Sequence, residues 1–237
     1  MEFSLLGSAA IGVACLYGTL WWEARRGNVL ECSRSLWDIA LTAAVVGVFA
    51  GRIGAMIGDG VNPITNPADV LIVRAGVATG WASLAALATA AWLGRRELWP
   101  VFDGLAAASL AGLAGWHAGC LTRNACLGSP ADLPWAMTQP DSSVSRHPVE
   151  LYAALTFAIA AVGIAAWRKR RLPPPGVPAA MTLVVAGAVR LATEPLRPSL
   201  GTGPVGWYAA AVVVGAAILG WRVSQRSGGA GRPLHSP

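Results

Sequence analysis

The chain has 237 residues, 54% of them hydrophobic and only 13% charged, with a mean hydropathy of +0.52 and a formal net charge of +6. A soluble domain is about one-quarter charged, so this composition excludes a soluble enzyme, a coiled coil and a disordered chain. Its 28 glycines follow no three-residue period, which excludes collagen. What is left is an all-α, polytopic membrane protein.

A membrane-crossing helix needs roughly 17–25 mostly apolar residues. Seven spans are predicted in chain order: Leu5–Trp22, Trp37–Gly58, Val77–Gly94, Val101–Leu121, Val149–Trp167, Ala179–Thr193 and Val205–Trp221. The first residues carry neither a basic region nor a small-residue cleavage site, so they read as the start of the first span. Trp21, Trp22, Trp37, Trp99, Trp167, Trp207 and Trp221 mark span ends as an aromatic belt does. Small residues crowd the third and fourth spans and permit close helix contact, which predicts that both are interior. Residues 1–224 form one transmembrane domain, followed by a Gly-, Ser- and Pro-rich stretch, 225–237, expected to be a disordered cytoplasmic tail.

The odd-numbered loops and the tail hold twelve Lys and Arg residues, against three (Arg123, Arg146 and Arg197) in the even-numbered loops. The positive-inside rule therefore predicts an outer N-terminus and a cytoplasmic C-terminus. No basic block with interleaved aromatics is present, so the net charge reports topology and no nucleic-acid partner is expected. Arg168–Pro178 reads as a stiff basic connector. Thr122–Pro148, a 27-residue outer loop, is long enough to be either functional or disordered.

Ionisable groups at membrane depth cost about 2.5–3.5 kcal/mol each on insertion scales, so each needs a partner or a purpose. In Arg190-x-x-x-Glu194-x-x-Arg197, offsets of four and seven put three charges on one face, provided the helix continues past Pro195. One reading is an ion pair plus an interfacial arginine. The other, favoured here, is an anion site in which Glu194 holds one arginine while guanidinium groups grip a phosphate. Arg52, between Gly51 and Ile53-Gly54, either snorkels or joins that site, and Arg74 snorkels. His117 is a structural histidine or a proton acceptor near Arg123. Cys120 and Cys126 form a disulfide or pack as small hydrophobes. A zinc site from these three lacks a fourth ligand, and no metal or cofactor is expected.

Three blocks resemble the prolipoprotein diacylglyceryl transferase family. Gly119-Cys120 … Cys126-x-Gly128-x-Pro130-x-Asp132-x-Pro134-Trp135 is similar to G-R-x-G-(N/C) … G-(E/C)-x-x-G-x-P-T-D-x-P-W. Arg146-His147-Pro148-Val149-Glu150-Leu151-Tyr152 is close to R-H-P-S-Q-L-Y-E, and Arg190-x-x-x-Glu194-x-x-Arg197 matches R-F-x-x-E-x-x-R. Gly51-Arg52-Ile53-Gly54 resembles the family's second-span motif. The chain departs from the pattern at His117, which stands where the family carries an essential arginine. The H-G-G segment is missing from Ala78-Thr79-Gly80-Trp81-Ala82-Ser83, and a family tyrosine is replaced by Ala186.

The resemblance implies transfer of a diacylglyceryl group from phosphatidylglycerol to the lipobox cysteine of prolipoproteins, in the bacterial inner membrane. The implied partners are phosphatidylglycerol, prolipoprotein signal peptides and membrane lipid. His117, Arg190, Glu194 and Arg197 are then the expected catalytic groups. Arg52, Gly119, Arg123, Asn124, Gly128, His147 and Tyr152 are expected to bind the substrates. His117 has three candidate roles: a cation replacing the arginine (the one favoured), a base for the thiol, or a purely structural group. The departures leave open a catalytically impaired paralogue that binds lipid or lipoprotein.

Overall fold

The computed structural model describes residues 3–27, 32, 34–71, 77–120, 127–139, 142–197 and 204–229. Arg74, Arg123, Asn124 and Cys126 lie outside the described residues, as does the chain from 230 onward. The elements are α1 (Phe3–Arg25), α2 (Leu36–Gly58), a short α3 (Pro67–Leu71), α4 (Thr79–Leu93), α5 (Leu98–Cys120), β1 (Met137–Thr138), β2 (Ser145–Arg146), α6 (Val149–Arg171), α7 (Val177–Thr193) and α8 (Val205–Gly229). A 3-10 turn, Glu194–Leu196, extends α7.

Each predicted span falls on one of these helices. Among the described residues, α2, α5, α6, α7 with its 3-10 turn, and α8 as far as Gln225 are long and apolar enough to cross a membrane. Helix α8 continues to Gly229, past the boundary at which the tail was expected to begin.

Helix α5 is the hub and packs against α1, α6 and α7. Its alanines and glycines let α1 come close: a Cβ on Gly115 would lie 2.7 Å from the Ile11 carbonyl oxygen, and one on Gly119 would lie 2.6 Å from Ser8 Cα. One apolar cluster (Ala107, Leu110, Ala153, Phe157 and Ile164 among its members) joins α5 to α6 and is flanked by Met181 and Val185 of α7. A second, including Leu20, Leu36, Ile39, Ala90 and Leu105, joins α1, α2, α4 and α5.

The expectation that the third span is interior is corrected by α4, where Gly80 and Ala90 are buried while Trp81, Leu84, Leu87 and Trp92 are exposed. Its small residues serve the close approach to Gly47 and Gly51 of α2 and, at Gly80, the contact with Trp207 of α8, while Leu84, Leu87 and Trp92 stay exposed. Arg168, counted from the sequence as part of a basic connector, instead lies buried in the last turn of α6 and pairs with the fully buried Glu23 of α1 at 3.2 Å.

At the same end of the bundle, Asp103 of α5 accepts the backbone N–H groups of Gly176 and Ala179 at the start of α7. Arg222 lies over the rings of Trp99 and Trp221 there, and Arg25 lies over Trp21. The chemistry-bearing residues gather at the opposite end, where α5 and α7 finish and α6 and α8 begin.

Candidate active site

The described part of the loop between α5 and α6 meets this end with a small ladder. Strands β1 and β2 pair antiparallel, and a bridge between Pro130 and Arg146 extends the ladder. Gly128 N–H donates to the His147 carbonyl at 2.7 Å, and His147 N–H donates to Ser129. Ser129 N–H donates to the Leu196 carbonyl, so the loop is fastened to the end of α7. A Cβ on Gly128 would collide with the Leu196 carbonyl oxygen and with Val149, so only glycine fits this seam. Arg146 donates to the Gly128 carbonyl at 3.2 Å.

Glu150, in the first turn of α6 and 7% exposed, is the centre of the site. Its Oε2 faces Nδ1 of His117, and its Oε1 accepts from Arg197 Nη2. A guanidinium has only donors, so Oε1 acts as an acceptor; contact with that fixed cation favours the ionised carboxylate, which has no proton to give, so Nδ1 of His117 carries the shared hydrogen. The His117 ring is 6% exposed and stacks on the fully buried Phe157, with centroids 5.4 Å apart. The ring is thus fixed at one edge and on one face.

Arg190 donates from Nη2 to the Tyr208 hydroxyl at 3.0 Å, lies 5.1 Å from that ring's centroid, and sits 3.8 Å from Glu194 Oε2. The ion pair between residues four apart on α7 is therefore present. The expectation that Arg197 shares the helix face is corrected. Proline 195 has no N–H to continue the α-helical ladder, α7 passes into the 3-10 turn, and Arg197 is extended (φ −83°, ψ 148°). That extended backbone lets its side chain reach α6. Two arginine donors, Arg190 Nη1 and Arg197 Nε, are buried without a partner among the described residues.

His147 and Tyr152 lie side by side with their rings edge to face, and Trp135 Nε1 donates to the Tyr152 hydroxyl at 2.8 Å. His147 Nδ1 is buried and has no partner among the described residues. Gly119 faces Ser8 at the α1 crossing. Arg52 is buried and donates from Nε and Nη2 to the Asp69 carbonyl at 3.1 and 2.8 Å, tying α2 to α3. This is inward tethering, which corrects the snorkelling alternative. Cys120 is disulfide-bonded and Cys15 and Cys32 are free; the expected pairing of Cys120 with Cys126 ends outside the described residues, as do the calls on Arg123 and Asn124.

Glu150 is the residue that sequence reasoning missed. It was quoted within a motif but given no role. The available signal was a paired departure: the resembling pattern has arginine and glutamine where this chain has His117 and Glu150, and these two side chains touch.

Comparison with known proteins agrees with the resemblance. The family profile described as prolipoprotein diacylglyceryl transferase matches residues 2–223. A protein of Nitratidesulfovibrio vulgaris named phosphatidylglycerol–prolipoprotein diacylglyceryl transferase is 28% identical over 242 residues, covering 94% of this chain and 91% of its own length. Proteins of the same name from Methylococcus capsulatus and Mesorhizobium japonicum are each 30% identical. The first alignment covers 83% of this chain and 79% of the relative; the second covers 61% and 57%. With a match that runs through every described helix, the chain belongs to the prolipoprotein diacylglyceryl transferase family.

Proposed function

We propose that this chain transfers the diacylglyceryl group of phosphatidylglycerol to the thiol of a prolipoprotein's lipobox cysteine, releasing glycerol phosphate and forming a thioether. The observation that carries this reading is the pair of buried, unpartnered guanidinium donors, Arg190 Nη1 and Arg197 Nε, beside the His117–Glu150 pair. Breaking the carbon–oxygen bond leaves negative charge on the departing phosphate. Fixed cationic donors at that point stabilise the transition state, in which the phosphate moves from one negative charge toward two, more than the singly charged ground state.

In this proposal Arg190 and Arg197 hold the phosphate, and Glu194 restrains Arg190. His147 and Tyr152 contact the headgroup, Gly119 and Gly128 keep the seams around the site closed, and Arg123 and Asn124 bind substrate. Arg52 supports the site through the α2–α3 connection. The chain crosses the bacterial inner membrane seven times with its N-terminus outside, which puts the site at the outer leaflet, where signal peptides present their cysteines.

The test is turnover in phosphatidylglycerol vesicles with a lipobox peptide, read by mass spectrometry as the added diacylglyceryl mass. Wild type should form the thioether. Arg190→Lys keeps the charge but loses the planar fork, so turnover should fall about 10- to 100-fold, the loss of one or two charge-assisted bonds. No thioether from wild type with lipid bound would overturn the reading.

A further inference from the structure

We infer that Glu150 is a positioning residue that sets His117 as the base for the incoming thiol, holding Nδ1–H on one carboxylate oxygen while the other oxygen anchors Arg197. The inference rests on the transferase reading above and deepens it.

Three observations converge on it. The carboxylate accepts from Nδ1, so the lone pair of a neutral imidazole is at Nε2. The ring cannot swing to another tautomer's geometry, because Phe157 lies against its face and Glu150 against its edge. Finally, one rigid group, Glu150, connects the end of α5 to the segment after α7, so the imidazole and the phosphate-binding arginine are held in fixed relation.

A cation at His117 would be neutralised by the carboxylate it touches, so it would add little positive charge for a phosphate to meet. Among the described residues, the charged and titratable groups at this end include Arg190, Glu194 and Arg197 from α7 and its extension, Glu150 and Tyr152 from α6, Arg146 and His147 from the segment before it, and Tyr208 from α8. Glu194 lies against Arg190, and Glu150 lies against both Arg197 and His117. An imidazolium here would thus already be facing a carboxylate. A neutral imidazole with an oriented Nε2 makes better use of the same arrangement, as carboxylate–imidazole pairs do in hydrolases.

The step balances without a further reagent. His117 Nε2 takes the S–H proton, and the thiolate sulfur bonds to the glyceryl carbon. The bond from that carbon to the phosphate oxygen breaks, with its electron pair staying on the oxygen. The imidazolium then returns its proton to the departing phosphate.

The test compares full-length wild type, E150Q, H117Q and H117R in phosphatidylglycerol vesicles with a lipobox peptide. It measures turnover against pH, phosphatidylglycerol binding, and the imidazole tautomer by nitrogen-15 NMR. In E150Q the amide oxygen is drawn to Arg197, which turns the amide N–H toward Nδ1 and moves the imidazole hydrogen to Nε2. Turnover should fall about 10³- to 10⁴-fold, as it does when the carboxylate of a catalytic triad becomes an amide. Lipid binding should be retained or tightened, because a negative charge has been removed. H117Q and H117R should both be inactive with lipid bound, and the wild-type rise of rate with pH should be absent from H117Q.

An active H117R, an E150Q that turns over like wild type, or an E150Q that loses lipid binding together with turnover would each overturn the inference. If wild type forms the thioether in the same experiment, those results leave the transferase reading standing. If wild type forms none, both fail.

Discussion

Asp103 of α5 accepts the Gly176 and Ala179 N–H groups at 2.7 and 3.0 Å, so it caps α7 from another helix. Asp103→Ala would orphan both donors in a buried site, at a cost of about 2 kcal/mol or more. Thermal melts in detergent should show that loss, with Asp103→Asn intermediate because it keeps one acceptor oxygen. Phosphatidylglycerol affinity should be unchanged, since the site is at the far end of the bundle. The sequence revealed the local pair, Arg190 with Glu194, because a separation of four along a helix is itself a contact rule. It did not reveal Asp103 or Glu150 in their roles. Their partners lie 73 and 76 residues away for Asp103, and 33 and 47 for Glu150, and only tertiary packing brings them together.

Among the elements, the spans were readable because continuous apolar runs need no partner to be recognised; predicted and observed ends differ by about four residues or fewer, except that α8 runs on from Trp221 to Gly229. The outer-loop ladder was not, because two-residue strands are too short to show an alternating pattern. The small residues of α4 signal close packing but not burial on all sides, since one alanine face, Ala82 and Ala86, is enough to dock on Gly47 and Gly51 of α2. The turn from α6 to α7 contains the one described non-glycine residue with positive φ, Leu172 at 43°, which is highly exposed and is followed by prolines 173 to 175. A side chain in this left-handed region costs about 1 kcal/mol and Leu172 recovers little by burial. Leu172→Gly should therefore raise stability by about 0.5 kcal/mol after the extra flexibility of an unfolded glycine is counted, visible as a higher Tm.

For the whole molecule, buried ion pairs occupy both ends of the bundle: His117, Glu150 and Arg197 at one, Glu23 and Arg168 at the other. Glu150 and Arg168 belong to the same helix, 18 positions apart. At 1.5 Å rise per residue they are about 27 Å apart along α6, close to the roughly 30 Å of a bilayer's hydrocarbon layer. Helix α6 is thus a ruler, held at each end by groups that cannot be drawn into acyl chains without breaking their pairs. A bilayer whose hydrocarbon layer matches that distance would set its lipid phosphates just beyond the first turn. In a thinner or thicker one they lie above or below that level, and the helix must tilt or the lipid must deform. Turnover measured in vesicles of graded acyl length should peak at intermediate chains and fall severalfold on either side, while a flat profile would show that the first turn of α6 does not sit next to the phosphate plane. Bilayer thickness would then select substrate as strictly as headgroup chemistry does, confining the reaction to membranes whose two faces the ruler fits.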